Sequence, residues 1–231
     1  MPLPTRMRDA AVSAREGTQA RVFYLHGFAS SARSTKAGFL AARLAEHGLP
    51  LHCPDFNLPD FATLTMSRML SQLESAVAAL PAGTVTLIGS SLGGTLAVLA
   101  ADRLPRVTAL VLLAPAVMFP TPGHHLLPPE RIEAWQAAGS LPFFHYAYGE
   151  ERPLDFTFYE DSLRYAPMEA TVRQPCLIFQ GLRDASVDPR GVEAFARQRP
   201  HVRLSLLDDD HSLVSSLPRI WEDVRPFLGL A

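Results

Sequence analysis

Three short stretches of this 231-residue chain carry side chains able to pass a proton among themselves. The first is Gly89-Ser90-Ser91-Leu92-Gly93, with Gly94 following. A serine hydroxyl is a weak nucleophile at neutral pH and needs a base beside it. Two later stretches hold the residue types required: Gly181-Leu182-Arg183-Asp184, with Asp188 close behind, and Asp208-Asp209-Asp210-His211-Ser212. Serine, aspartate and histidine in that chain order suit an imidazole that takes the serine proton while a carboxylate fixes its tautomer. The chemistry so described is acyl transfer.

Ser91 needs a particular local geometry. Val85-Thr86-Leu87-Ile88 reads as a buried strand and Thr95 to Ala101 as a helical run, so the chain must reverse sharply between them. Gly89 and Gly93 leave room for backbone that a Cβ would obstruct. Ser91 is then held proud at the apex. The N–H of Leu92, at a helix start, has no intrahelical partner. With the helix dipole behind it, that donor can receive a developing oxyanion.

Two aspartates compete as the acid. Asp188 precedes Pro189 and a run with Val192, Phe195 and Ala196 on one face, which is the place of a helix N-cap. Asp184 has no such duty and lies nearer the strand end, so Asp184 is the expected acid. Among eight histidines, His211 stands on the loop after the last expected strand and is the expected base. The acidic run before it reads as a solvated loop.

The elements that must carry these residues alternate. Expected strands cover 20–25, 49–53, 85–88, 107–113, 176–179 and 202–206, with a further short one near 10–12. Helices are expected from Ser34 to before Gly48, over 66–80, after Asp188 and from Pro218, where Ile220, Trp221, Val224 and Phe227 turn inward. Continuous apolar runs such as Val107–Leu113 need cover on both faces. The spacing therefore predicts an α/β fold: a mostly parallel sheet of about six to seven strands with helices on both faces. Each motif above falls at the carboxyl end of a strand, where active groups gather in such sheets. Residues 1–231 read as one domain, with 116–167 inserted as a lid.

A chain that is 48% hydrophobic and 19% charged, with net charge −2, has the composition of an ordinary globular protein. It offers no basic footprint for nucleic acid. Cys53 and Cys176 are far apart and read as free thiols. The longest apolar run, Ala109 to Met118, is about half a membrane span. The first twenty residues hold no secretion-signal core, so a cytoplasmic protein is expected. His124-His125 has no third and fourth ligand at suitable spacing, and no metal or cofactor is expected.

Tyr24-Leu25-His26-Gly27-Phe28-Ala29-Ser30-Ser31, together with the serine turn, Gly181-x-x-Asp184-x-x-Val187 and Asp210-His211-Ser212, resembles the α/β-hydrolase superfamily over nearly the whole chain. With Ser34 and Lys36 following, the first stretch is similar to small bacterial carboxylesterases of the YqiA type. Gly89-Ser90-Ser91-Leu92-Gly93-Gly94 also resembles the mitochondrial acyl-thioesterase and glucuronide-esterase branch. The resemblance implies a serine esterase or thioesterase without a cofactor, acting on a small acyl ester or thioester. It implies a second oxyanion donor, the N–H of Phe28, with the Phe28 ring lining the acyl site and His26 pinning the loop. The insertion is longer than a minimal YqiA-type enzyme has.

Half of the aromatic residues lie between Pro115 and Met168, among dense prolines. A short helix is expected from Pro129. Trp135, Phe143, Phe144, Tyr146 and Phe158 either form an apolar substrate pocket with Phe28 or pack the insertion onto the domain. Two other classes stay open: a serine aminopeptidase or amidase, with Glu150 or Glu151 binding the substrate amine, and a non-catalytic small-molecule-binding protein.

Overall fold

Alternating apolar runs and helical stretches assemble into one wound sheet in the computed structural model, which describes residues 21–123 and 127–230. Strands β1 (Arg21–Leu25), β2 (Leu51–His52), β3 (Val85–Ser90), β4 (Val107–Leu113), β7 (Cys176–Gly181) and β8 (Val202–Leu207) pair in the order β2-β1-β3-β4-β7-β8. Every pairing in that sheet is parallel.

Successive side chains of a strand point to opposite faces, and the two apolar cores divide accordingly. Val22, Tyr24, Ile88, Val111, Leu113, Leu177 and Phe179 face α1 (Thr35–Ala45) and α7 (Leu217–Phe227). Phe23, Leu25, Leu87, Leu110, Leu112 and Ile178 face α2 (Met66–Ala78), α3 (Leu92–Arg103) and α6 (Pro189–Arg197). Both faces are covered, as parallel strands require. Helix starts follow local chemistry: Ser34 accepts from the Ala37 N–H, Thr65 from Arg68, and Asp188 from Arg190 with Pro189 next.

Some bounds differ from the sequence expectation. β3 and β7 continue through Gly89-Ser90 and Gln180-Gly181, because parallel pairing holds across these non-apolar residues at the carboxyl edge. β2 is only two residues long, and α3 starts at Leu92 rather than Thr95. The expected strand near 10–12 lies outside the described residues, as do His124 and His125.

The insertion holds more structure than expected. After α4 (Pro129–Ala138) comes an antiparallel ribbon, β5 (Ser140–His145) with β6 (Glu150–Asp155), then α5 (Thr157–Ser162). Pro142 stands opposite Pro153. Proline is tolerated on edge strands, and a two-stranded ribbon has nothing but edges. The ribbon is tied down: Asp155 N–H donates to the Ala62 carbonyl (2.9 Å), and the indole N–H of Trp135 to Leu154 (2.8 Å). Asp161 of α5 accepts from the backbone and hydroxyl of Ser67 at the start of α2 (2.7 and 2.6 Å). No helix among the described residues is long and apolar enough to cross a membrane.

Non-glycine residues with positive φ among the described ones are Ala29, Ser91, Ala114 and Leu213, all in segments at the carboxyl edge of the sheet. Ser91 has φ 53° and ψ −117°, a conformation costing roughly 1–3 kcal/mol. The turn is held closed by backbone packing. A methyl on Gly93 would overlap the Leu25 carbonyl, and one on Gly89 the Gly93 carbonyl. Gly93→Ala is therefore expected to lose more than about 3 kcal/mol of stability in urea unfolding. A variant as stable as the parent would show that α3 and β1 can separate freely.

Candidate active site

At the carboxyl edge, three loops bring their polar side chains into one hydrogen-bonded chain. The Nε2 of His211 lies 3.1 Å from the Ser91 Oγ, and its Nδ1 lies 2.8 Å from Asp184 Oδ2. An ionised carboxylate can only accept, so Nδ1 carries the ring proton and Nε2 is free to accept from the serine. Ser91 itself is half-buried rather than sealed in.

Asp184 is saturated with donors. Its Oδ1 accepts from the N–H groups of Ser186 and Val187, both at 2.8 Å, and its Oδ2 accepts from Gln180 Nε2 at 2.8 Å as well as from His211. The carboxylate side chain is fully buried. Burial pushes the carboxyl up, but the bonds from His211, Val187 and Gln180 outweigh it and hold it below the ordinary carboxylate range. Asp188, the competing aspartate, caps α6 through a 2.9 Å bond from Arg190.

The loop bearing His211 is pinned by its own acidic run. Asp209 is buried and accepts from the N–H groups of Asp210 (2.8 Å) and Ser216 (2.9 Å). That corrects the expectation of a uniformly solvated run. Asp208, paired with Arg183, and Asp210 are the exposed charges of the run. Asp210 accepts from Ser212 (2.7 Å to its N–H), and that bonding lowers its carboxyl.

Two backbone N–H groups belong to the segments that adjoin the serine. Leu92 opens α3, so its N–H has no acceptor four residues back. Gly27 presses so close that an added Cβ would stand 3.2 Å from that of Ser91. The next N–H, that of Phe28, makes no hydrogen bond to another described residue. His26 holds this loop from beneath: its Nε2 accepts from Phe56 N–H (3.0 Å), leaving Nδ1 to donate to the Gly27 carbonyl (2.9 Å).

A strained serine between strand and helix, an imidazole and a buried carboxylate on later loops is the site plan of the α/β-hydrolase fold. The chain belongs to the uncharacterised protein family UPF0227. The family match runs over residues 21–226 and agrees with the YqiA-type resemblance. No curated protein sequence matches the chain. Among solved structures it is similar to Est1E of Butyrivibrio proteoclasticus with bound ferulic acid: 22% identity, 92% of this chain and 89% of that one, TM-score 0.77. Mouse alpha/beta hydrolase domain-containing protein 10 shares 21% identity over 90% and 89% of the two chains, TM-score 0.74. A monoacylglycerol lipase of Paleococcus ferrophilus shares 14% over 92% and 95%, TM-score 0.70. These likenesses establish the α/β-hydrolase fold for this UPF0227 chain.

The aromatic residues of the insertion divide. The Phe28 ring contacts Phe61, Phe143 and Phe158, each with centroids 5.6 Å apart, and Trp135 backs Phe143 at 4.9 Å. Trp135 and Phe158 are buried and serve as packing, while Phe28 and Phe143 are half-buried. Phe144 is not brought to this cluster. It points off the other face of the ribbon, half exposed against Tyr146, because neighbours on a strand face opposite ways.

Sequence reasoning missed the residues that join these parts. Buried His145 of β5 meets Asn57 Oδ1 at 3.0 Å, and Asn57 Nδ2 donates to the Ser30 carbonyl at 2.8 Å, which links the ribbon to the Phe28 loop. Gln180 is a polar residue closing an apolar strand, a faint signal. Lys36 of α1 donates to the Ser212 carbonyl beside His211 (2.9 Å).

Burial lowers the Lys36 ammonium to about 8, against the attraction of Asp184, Asp210 and Asp209. Its folded pKa is thus below its unfolded one. Below pH 8 the folded state bears the full cost of the buried charge, and that cost fades as pH rises toward about 10.4, the unfolded lysine value. In urea unfolding, any stability advantage of Lys36→Met over the parent should therefore shrink between pH 7 and pH 10. An advantage that stays constant or grows would contradict this environment.

Proposed function

We propose that this protein is a serine hydrolase that cleaves small carboxylic esters or thioesters through an acyl-enzyme on Ser91. The observation that carries the reading is the unbroken chain Ser91 Oγ, His211, Asp184, with links of 3.1 and 2.8 Å. Ser91 attacks the carbonyl carbon while His211 Nε2 takes its proton. Asp184 stays ionised and balances the imidazolium. The tetrahedral oxyanion is received by the N–H groups of Leu92 and Phe28, one such donor being worth about 3 kcal/mol. The imidazolium then protonates the departing alcohol or thiol, and water repeats the cycle on the acyl-serine.

Two of the structural relatives support ester substrates: one binds ferulic acid and another is a monoacylglycerol lipase. The half-buried rings of Phe28 and Phe143 suit an apolar or aryl acyl group. An aminopeptidase reading has less support. Glu150 pairs with Arg152 (2.7 Å), and both Glu150 and Glu151 are exposed at the turn end of the ribbon.

Ser91→Ala should abolish both fluorophosphonate labelling and p-nitrophenyl acetate hydrolysis while leaving the thermal midpoint close to the parent's. Labelling that persists in this variant would place the nucleophile elsewhere. Asp184→Asn should lower kcat by 10³-fold or more, on the order of the loss expected when the imidazole takes the wrong tautomer. Asp188→Asn should keep near-parental kcat, since asparagine caps helices as well as aspartate does. The reverse ranking would reassign the acid. Phe143→Ala is expected to raise KM for aryl esters several-fold, and Phe144→Ala to leave it unchanged. Equal effects would contradict the division between the two faces of the ribbon.

A further inference from the structure

We propose that Gln180 is a positioning residue that fixes the Asp184 carboxylate and holds down the proton affinity of His211, an inference resting on the serine-hydrolase reading above. Gln180 is fully buried near the end of β7. Its Nε2 faces two acceptors, Asp184 Oδ2 at 2.8 Å and the Gly181 carbonyl at 3.2 Å. Turning the amide over would set its oxygen against both of those oxygens, so the orientation is dictated. The consequence is that Oε1 is left buried with no hydrogen-bond partner.

A buried acceptor without a partner destabilises a fold. Methionine or leucine would fill the same space without that defect. What the amide provides in return is a donor to the one carboxylate oxygen that also faces His211. Oδ1 is held by two backbone N–H groups. Without Gln180, Oδ2 would be held by the imidazole alone, and the carboxylate could rotate about its last bond. The donated bond also draws charge from Oδ2. The carboxylate then stabilises the imidazolium less, and His211 stays neutral, ready to accept a proton, to lower pH. The other charges near His211 are Asp210 on its own loop and the Lys36 ammonium from α1, bonded at Ser212. Substitution at Gln180 alters neither.

The test uses Gln180→Met, which fills the volume, and Gln180→Glu, which keeps the shape. In Gln180→Met, kcat for p-nitrophenyl acetate should fall roughly tenfold with KM little changed. The acid limb of kcat/KM should move up by about half a pH unit or more. In Gln180→Glu, the protonated carboxyl can still donate to Asp184 and the ionised one repels it. Activity relative to the parent should therefore decline as pH rises. A role in packing alone would give a ratio independent of pH and an unmoved acid limb, and either result would overturn the proposal. NMR titration of His211 in Ser91→Ala, with and without Gln180→Met, reads the same shift without turnover. Absence of esterase activity in the parent would thus sink the serine-hydrolase reading, while an unshifted His211 would sink the role of Gln180 alone.

Discussion

The close approach of the first turn of α3 to the end of β1 is the contact on which the site depends. Gly93 lies so near the Leu25 carbonyl that no Cβ fits between them, and Gly94 is similarly tight against Pro115. Backbone packing of this kind leaves little freedom. It forces Ser91 into its positive-φ turn and brings Gly27 against the serine. The strain at Ser91 is a few kcal/mol at most, and α3, buried from Leu92 to Ala101, has ample apolar contact to hold it.

The opposite side of the site is governed by charge satisfaction rather than by shape. Asp184 is buried, and an isolated buried carboxylate would take up a proton. Four donors, two from backbone and two from side chains, keep it ionised instead. The adjoining loop uses the same device, with Asp209 accepting backbone N–H groups from within. At Gly181 a Cβ would meet the Asp210 and Asp209 carbonyls at 2.5 and 2.6 Å. The two loops after β7 and β8 are therefore locked to each other, and the imidazole spans a fixed gap to Ser91.

Much of this was legible in the residues because the chemistry is local. Apolar runs and caps placed six of the strands and most of the helices. Pro189 exposed Asp188 as a cap, which left Asp184 free, and the structure brings Asp184 and not Asp188 to His211. The insertion was less legible for a physical reason. Its ribbon carries prolines that speak against a sheet, and only once the strand is known does alternation separate Phe143 from Phe144. Asn57 matters through Ser30 and His145, both distant in sequence, while Gln180 reaches Asp184 only four residues on, but from a strand whose other residues read as plain core. Asp161 and His145 tie the insertion to Ser67 and Asn57 of the domain, and Phe143 and Phe158 pack against Phe28.

The central claim is that Ser91 carries the acyl group during turnover. It is tested most directly by rapid acid quench of the protein hydrolysing a p-nitrophenyl ester, followed by peptide mass spectrometry. One acyl adduct on the peptide containing Ser91, missing in Ser91→Ala, is the result expected. Sustained hydrolysis with no adduct there, or with the acyl group on another residue, would contradict the account.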